Sequence, residues 1–269
     1  MLKNKNVFIT GGNRGIGRGL VNILEKDNNV IFSVRESSKG EEVIKDFKSQ
    51  NVRYVVLDVD DLESVHQARK AIKSKMDTID VLFNNAGILI PQYDVSAVDT
   101  PEESILKTFQ TNTLGPLRVI KSLLNMIPKG GRIVNISSGM GQLDEMEGGS
   151  LAYRLSKTSL NALSKILSVE LEKREISVNA ICPGWVQTDM GGSNASLTIE
   201  ESTEKIVAFA MHEEFPNGKF LKQVIVEFFI LRLNRKVIYG NQLLKCKYSI
   251  MTTIQMGKTR ALQLVPYSL

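Results

Sequence analysis

The chain has 269 residues, 42% of them hydrophobic and 23% charged, which is ordinary for a globular protein with enough chain for a buried core. Two cysteines, Cys182 and Cys246, cannot build a disulfide framework, and no apolar run is long enough to span a bilayer, so a cytoplasmic protein with no membrane partner is expected. The net charge of +5 belongs to the end of the chain: residues 217–269 carry nine Lys/Arg against Glu227 alone, and the rest shows no basic and aromatic pattern suited to nucleic acid.

In chain order, residues 5–10 (KNVFIT) form a short apolar run that ends in Gly11-Gly-Asn13-Arg14-Gly15-Ile16-Gly17, and residues 18–26 have helical spacing. Strand, glycine-rich turn and helix together bring backbone N–H groups to a pyrophosphate at a helix N-terminus. The spacing is Gly-x-x-x-Gly-x-Gly, not the commoner Gly-x-Gly-x-x-Gly. Residues 29–34 read as the second strand, followed by Arg35, and 41–49 as a helix. Residues 52–57 are a third strand ending at Asp58-Val59, and Asp60 or Asp61 can cap the helix that runs to about residue 73. Asp58 can equally be a turn residue.

Residues 79–83 form a fourth strand running into Asn84-Asn85-Ala86-Gly87, small polar residues where backbone must pass close to something. Thr100-Pro101-Glu102-Glu103 reads as a helix start with Thr100 as the cap, and the helix extends past Asn112 and Gly115-Pro116 to about residue 126. Residues 131–136 are a fifth strand that delivers Ser137-Ser138. A polar, glycine-rich loop then leads to a helix bearing Tyr153 and Lys157, which continues to about residue 173. Residues 176–181 are a sixth strand, followed by Cys182-Pro183-Gly184-Trp185-Val186-Gln187-Thr188. Residues 189–198 read as a mobile loop and 199–211 as a last helix. Regular alternation of strand and helix predicts an α/β fold, a parallel sheet with helices on both faces whose ligands bind at the carboxyl ends of the strands.

Tyr153 and Lys157 are four residues apart, one turn along one helix face. An ammonium beside a phenol favours the phenolate, and a phenol tuned downward in this way can exchange a proton with an alcohol or a developing alkoxide.

These motifs jointly resemble the short-chain dehydrogenase/reductase family, in its single-domain, carbonyl-reductase-like branch. The matching stretches are Thr10–Gly17, Asn84–Gly87, Asn112, Ser138, Tyr153-x-x-x-Lys157 and Pro183-Gly184, in family order across residues 5–220. The phrasing around Ser137–Gln142 and Pro183–Met190 is similar to members from plants and bacteria. The resemblance implies a doubly wound Rossmann fold with about seven parallel strands, occupying residues 1–222. It implies NADP(H) as cofactor, a small ketone, aldehyde or secondary alcohol as substrate, and room for a homo-oligomer built on the long helices.

By the same resemblance Tyr153 is the general acid, Lys157 lowers its pKa and holds the nicotinamide ribose, Ser138 binds the carbonyl, and Asn112 keeps a water in line with Lys157. Asn112 can alternatively bond backbone where its helix is interrupted. The cofactor-binding set is Gly11, Asn13, Arg14, Gly15, Ile16, Gly17, Arg35, Asp58, Val59, Asn85, Ala86, Gly87, Tyr153, Lys157, Pro183, Gly184, Val186 and Thr188. Arg35, at the end of the second strand, and Arg14 are expected on the 2′-phosphate of NADPH, with Glu36 opposing. A non-catalytic dinucleotide-binding regulator on the same fold is the alternative function. A hydrolase is not expected, since no Gly-x-Ser-x-Gly is present, and neither is a metal site, since no His/Cys cluster has ligand spacing.

Two features depart from the family pattern. Ser138 and Tyr153 are 15 residues apart, slightly more than usual. Residues 223–269 form a basic extension containing the β-prone run VIVEFFIL at 224–231, which reads either as an added binding segment or as the product of a retained intron or shifted frame.

Overall fold

The computed structural model describes residues 1–47 and 49–222. The extension read at 223–269 lies outside the described residues. Among the described residues there are seven strands, β1 (Asn6–Ile9), β2 (Asn29–Val34), β3 (Val52–Val56), β4 (Val81–Asn84), β5 (Arg132–Ile136), β6 (Ser177–Ile181) and β7 (Phe220–Leu221). They form one sheet in the order β3-β2-β1-β4-β5-β6-β7, with every pairing parallel. The order reverses between β1 and β4, where Val7 pairs with Val30 on one side and Val81 on the other. Such a reversal opens a crevice at the carboxyl ends of the strands.

Both faces of the sheet are covered, and period-two alternation sorts the strand residues between them. Val7, Ile9, Val30, Phe32, Phe83 and Val134 face α1 (Gly15–Leu24) and α7 (Ile199–Ala210), meeting Leu20, Val21, Ile206 and Phe209. Phe8, Ile31, Leu82, Ile133 and Val178 face the other way, against α3 (Leu62–Lys73) and two helices introduced below. Among the described residues, no helix is long and apolar enough to cross a membrane.

Several element boundaries differ from the sequence reading. α1 starts at Gly15 rather than near Arg18, and α2 (Ser37–Ile44) starts four residues early. Of the two caps the sequence offered for α3, Asp61 is the one used, accepting from the N–H of Glu63. The long helix expected from residue 100 to 126 is three pieces, α4 (Glu102–Phe109), a π-helical turn (Gln110–Leu114) and α5 (Gly115–Leu123). Pro101, extended at ψ 131°, is the cap position itself, and Thr100 turns its hydroxyl back to the Ser96 carbonyl at 3.0 Å. α6 (Leu151–Glu170) follows β5, and α7 begins with a reciprocal cap between Thr198 and Glu201. The loop at 189–198 is held: Val186 bridges Leu197, and the Trp185 indole N–H donates to the Gly191 carbonyl at 2.8 Å.

Candidate active site

At the sheet's crevice, β1 hands over to the glycine-rich turn. Gly11 sits at φ +68°, a conformation that favours glycine, and its N–H donates to Ser33 Oγ at 3.0 Å. A Cβ at Gly17 would lie 2.1 Å from the Gly11 carbonyl oxygen, so only glycine lets α1 begin directly beneath the turn. Thr10 Oγ1 accepts from the N–H groups of Asn85 and Ala86, and Asn85 Nδ2 donates to the carbonyls of Thr10 and Gly11. The ends of β1 and β4 are thereby locked together.

α1 has no side-chain cap and no acid in its first turn. Its first N–H groups are left for an anion. Asn13 and Ile16 lie half-buried on this turn. Beside it is a cleft of about 540 Å³ lined by Arg14, Gly15, Gln187, Thr188, Asp189 and Ser193. A bare helix N-terminus and a glycine cradle that no Cβ could enter fit a dinucleotide pyrophosphate.

The remaining residues of the expected cofactor set behave less uniformly. Arg35 is exposed, with no ion-pair partner among the described residues. Arg14 is instead held by an ion pair with Asp189, both side chains largely in solvent. Asp58 acts as a turn residue: its Oδ1 accepts from the N–H of Asp60 at 2.9 Å, and its own N–H donates to Ser64 Oγ. Val59 is buried against Gly115, and its carbonyl accepts from Arg118. After β6 the Pro183 carbonyl accepts from Ser202, Gly184 takes φ +83°, Val186 is buried, and Thr188 approaches Gly15 so closely that a Cβ there would lie 3.3 Å from its methyl group.

The four proposed catalytic residues converge from three elements. Ser138 lies just beyond β5, where its Oγ accepts from the N–H of Met140 at 3.2 Å and faces the Tyr153 phenol, whose pKa it lowers. Tyr153 and Lys157 lie on the first two turns of α6, both buried, with Lys157 Nζ 5.6 Å from the Tyr153 ring centroid. Lys157 Nζ donates to the Ile136 carbonyl at 2.9 Å. The Asn112 amide, fully buried, accepts from the Ile88 N–H and donates to the Ile88 carbonyl, both at 2.8 Å, and to Ser156 Oγ at 3.0 Å. Asn112 therefore ties the interrupted helix to the strand end, which was the alternative reading, and it also stands near Lys157. A Cβ at Gly87 would lie 3.1 Å from Asn112 Oδ1 and 3.6 Å from Lys157 Nζ.

The expected downward tuning of Tyr153 is not what this arrangement gives. Burial pushes its phenol up to about 12, a rise only partly countered by the Ser138 hydrogen bond. Burial lowers Lys157 to about 8. Desolvation outweighs the ammonium because Lys157 is turned toward the Ile136 carbonyl.

Sequence reading overlooked the residues that hold this site. Ser33 and Asn135 are small polar residues at or near the ends of apolar strands, and that contrast was the available signal; Thr10 lay inside the matching stretch, but its role in joining β1 to the end of β4 was not read. Asn135 is fully buried, accepting from Asn84 and donating to Ser164, each at 2.8 Å. Ser137 donates to Asn161, which in turn donates to the Gly141 carbonyl, fixing the loop after β5 to α6. Cys182, just beyond β6, accepts from the N–H of Gly139.

The sequence model of the family described as short chain dehydrogenase matches residues 5–197. The chain belongs to the short-chain dehydrogenase family and is an oxidoreductase. Human "Carbonyl reductase [NADPH] 1" is 30% identical, with 82% of this chain and 96% of that protein aligned. Among solved structures, the "Carbonyl reductase Sniffer" of Drosophila melanogaster superposes with a TM-score of 0.74 at 31% identity, covering 82% of this chain and 97% of that one. The NADPH-bound carbonyl reductase from chicken fatty liver gives 0.76 at 28% identity, covering 83% and 98%. The family expectation is met.

Proposed function

We propose that this protein is an NADPH-dependent carbonyl reductase acting on a ketone or aldehyde, reversibly with the corresponding alcohol. The observation that carries the reading is the buried cluster of Ser138, Tyr153 and Lys157, beside a glycine cradle and a bare helix N-terminus. Three relatives whose names include carbonyl reductase, two of them with NADPH, support the choice of reaction and coenzyme.

When bound, the nicotinamide supplies the hydride. The N–H groups opening α1 and the Gly11–Gly17 turn would hold the pyrophosphate, and Asn85–Gly87, just beyond β4, would complete the coenzyme site. Arg35 and Arg14 take the 2′-phosphate, Arg14 after leaving Asp189. The phenol of Tyr153, protonated throughout the physiological range, donates its proton to the carbonyl oxygen as negative charge develops there. Ser138 donates a second hydrogen bond to the same oxygen, holding it in line with the phenol. Lys157 has three N–H donors and uses one on Ile136. The others are left for the ribose and for returning a proton to Tyr153.

The test is Tyr153→Phe. NADPH-dependent reduction of an aldehyde panel should fall by about 10²–10⁴-fold, with NADPH affinity retained. Turnover comparable to that of the parent protein would refute the assignment.

A further inference from the structure

Tyr93, on the loop after β4, was not among the expected site residues. It is 58% exposed, although a large ring in water is unfavourable unless something covers it. Its mounting is nonetheless rigid. Gly149, at φ +71°, seats so tightly against the Tyr93 backbone that a Cβ there would lie 2.1 Å from the Tyr93 carbonyl oxygen. The neighbouring Gln92 carbonyl accepts from the N–H of Ser150 at 2.8 Å, and Gln92 Nε2 donates to Ser104 on α4 at 3.1 Å.

The other side of this joint is clamped by Arg154, adjacent to the general acid and only 7% exposed, whose guanidinium donates to the carbonyls of Gly148 and Gly149 and to Glu147. Tyr93 is thus fastened to the first turn of the helix that carries Tyr153. The two phenols are near enough that Tyr93 contributes to the upward shift of Tyr153. Leu143, Met146, Trp185 and Met190, on the loops after β5 and β6, are also exposed apolar residues at this end of the sheet. β4, β5 and β6 are neighbours in the sheet, so the loops that follow them surround one mouth.

We propose that Tyr93 is a substrate-selecting residue, its ring standing on a tightly seated backbone at the mouth of the site and packing against a flat apolar group next to the substrate carbonyl. The inference rests on the carbonyl-reductase reading. A tyrosine on a held backbone has only two side-chain torsions to order when a planar partner binds, and the apolar area covered is removed from water.

The experiment measures kcat/KM for benzaldehyde and for propanal, with NADPH, in the parent protein and in Tyr93→Ala, Tyr93→Phe and Tyr93→Leu. Melting temperature and NADPH affinity are read on the same preparations. The benzaldehyde-to-propanal ratio should fall about tenfold or more in Tyr93→Ala, mainly through KM, and stay within about twofold in Tyr93→Phe. A folded Tyr93→Ala with the parent's ratio overturns the assignment. If Tyr93→Ala does not fold, Tyr93→Leu is read in the same way, and an unmoved ratio has the same meaning. A parent protein that reduces neither aldehyde refutes the carbonyl-reductase reading, and the role of Tyr93 falls with it. An active parent with an unmoved ratio refutes the role of Tyr93 alone.

Discussion

Lys157 donates its ammonium to the main-chain carbonyl of Ile136, 2.9 Å away, rather than to the phenol one turn before it. Burial brings its pKa from 10.5 to about 8. The charged form therefore predominates in the folded protein only below about pH 8 and declines above it. With Tyr153 held up to about 12, loss of reductive activity at alkaline pH should follow Lys157 and not Tyr153. We expect kcat/KM for carbonyl reduction to be flat below about pH 8 and to decline above it. Replacing Lys157 with Arg, which stays protonated, should remove that decline from whatever activity remains.

Stability follows the same two groups. A lysine whose folded pKa lies below its unfolded value penalises the folded state while charged, so stability should rise as pH goes from about 8 to 10.5. Tyr153 acts oppositely: its raised pKa favours the folded state below pH 10, and that advantage is lost as pH rises toward about 12. Urea midpoints across pH 7–11 would show whether the Lys157 rise is present.

The ion pair between Arg14 and Asp189 bears on coenzyme choice. Both partners are exposed, so the pair itself is weak, but Asp189 places a negative charge beside Arg14, one of the two residues proposed for the 2′-phosphate. Asp189→Asn should tighten NADPH binding several-fold and leave NADH binding unchanged. Arg35→Ala should reduce the preference for NADPH over NADH by about tenfold. Fluorescence titration with both coenzymes decides it, and an unmoved preference in Arg35→Ala would mean the phosphate is read elsewhere.

Arg132 makes a stability prediction independent of the site. Nearly buried at the start of β5, it donates to the carbonyls of Ala210, at the end of α7, and of His212 and Glu213 just past it, and its guanidinium lies 4.7 Å from the Phe215 ring centroid. Arg132→Met keeps the aliphatic bulk but removes every donor. A loss of about 3 kcal/mol is expected, which would lower the melting temperature by roughly 6–12 °C.

A chain ending at Lys222 should fold and bind NADPH as the full chain does. It keeps the seven strands found among the described residues, and every residue of the expected catalytic and cofactor-binding sets precedes residue 190. Calorimetric titration of both chains is the comparison. Failure of the shorter chain to bind would make residues 223–269 part of the domain.

The parallel sheet was legible because buried parallel strands read as apolar runs, and Val7–Ile9, Val30–Val34 and Ile133–Ile136 are such runs. The glycine turn was legible because close backbone approach leaves glycine little competition, as Gly17 against Gly11 illustrates. Side-chain partnerships across long separations were not. Nothing local says that Arg14 meets Asp189 or that Tyr93 abuts Gly149. The phenol's environment was misread for a related reason: spacing puts Lys157 on the same face as Tyr153, but burial, a tertiary property, decides both pKa values. Gly115-Pro116 and Asn112 hinted at an interrupted helix, but the form of the interruption was not legible: the widened turn is held by the buried Asn112 amide, bonded both ways to Ile88, and by Thr113 and Asn112 on Ser156, all partners distant in sequence.

That widened turn at Gln110–Leu114 also sets angular phase. A π turn carries one residue more than an α turn, which advances everything after it by roughly 100° around the helix axis. α4 packs on α6, whereas α5 packs on α3. One continuous rod could not direct its apolar stripe toward both neighbours. The surplus residue works as a coupling between two shafts, so deleting Thr111 would restore ideal helix geometry locally and yet turn Val119, Ile120 and Leu123 off the core they now fill.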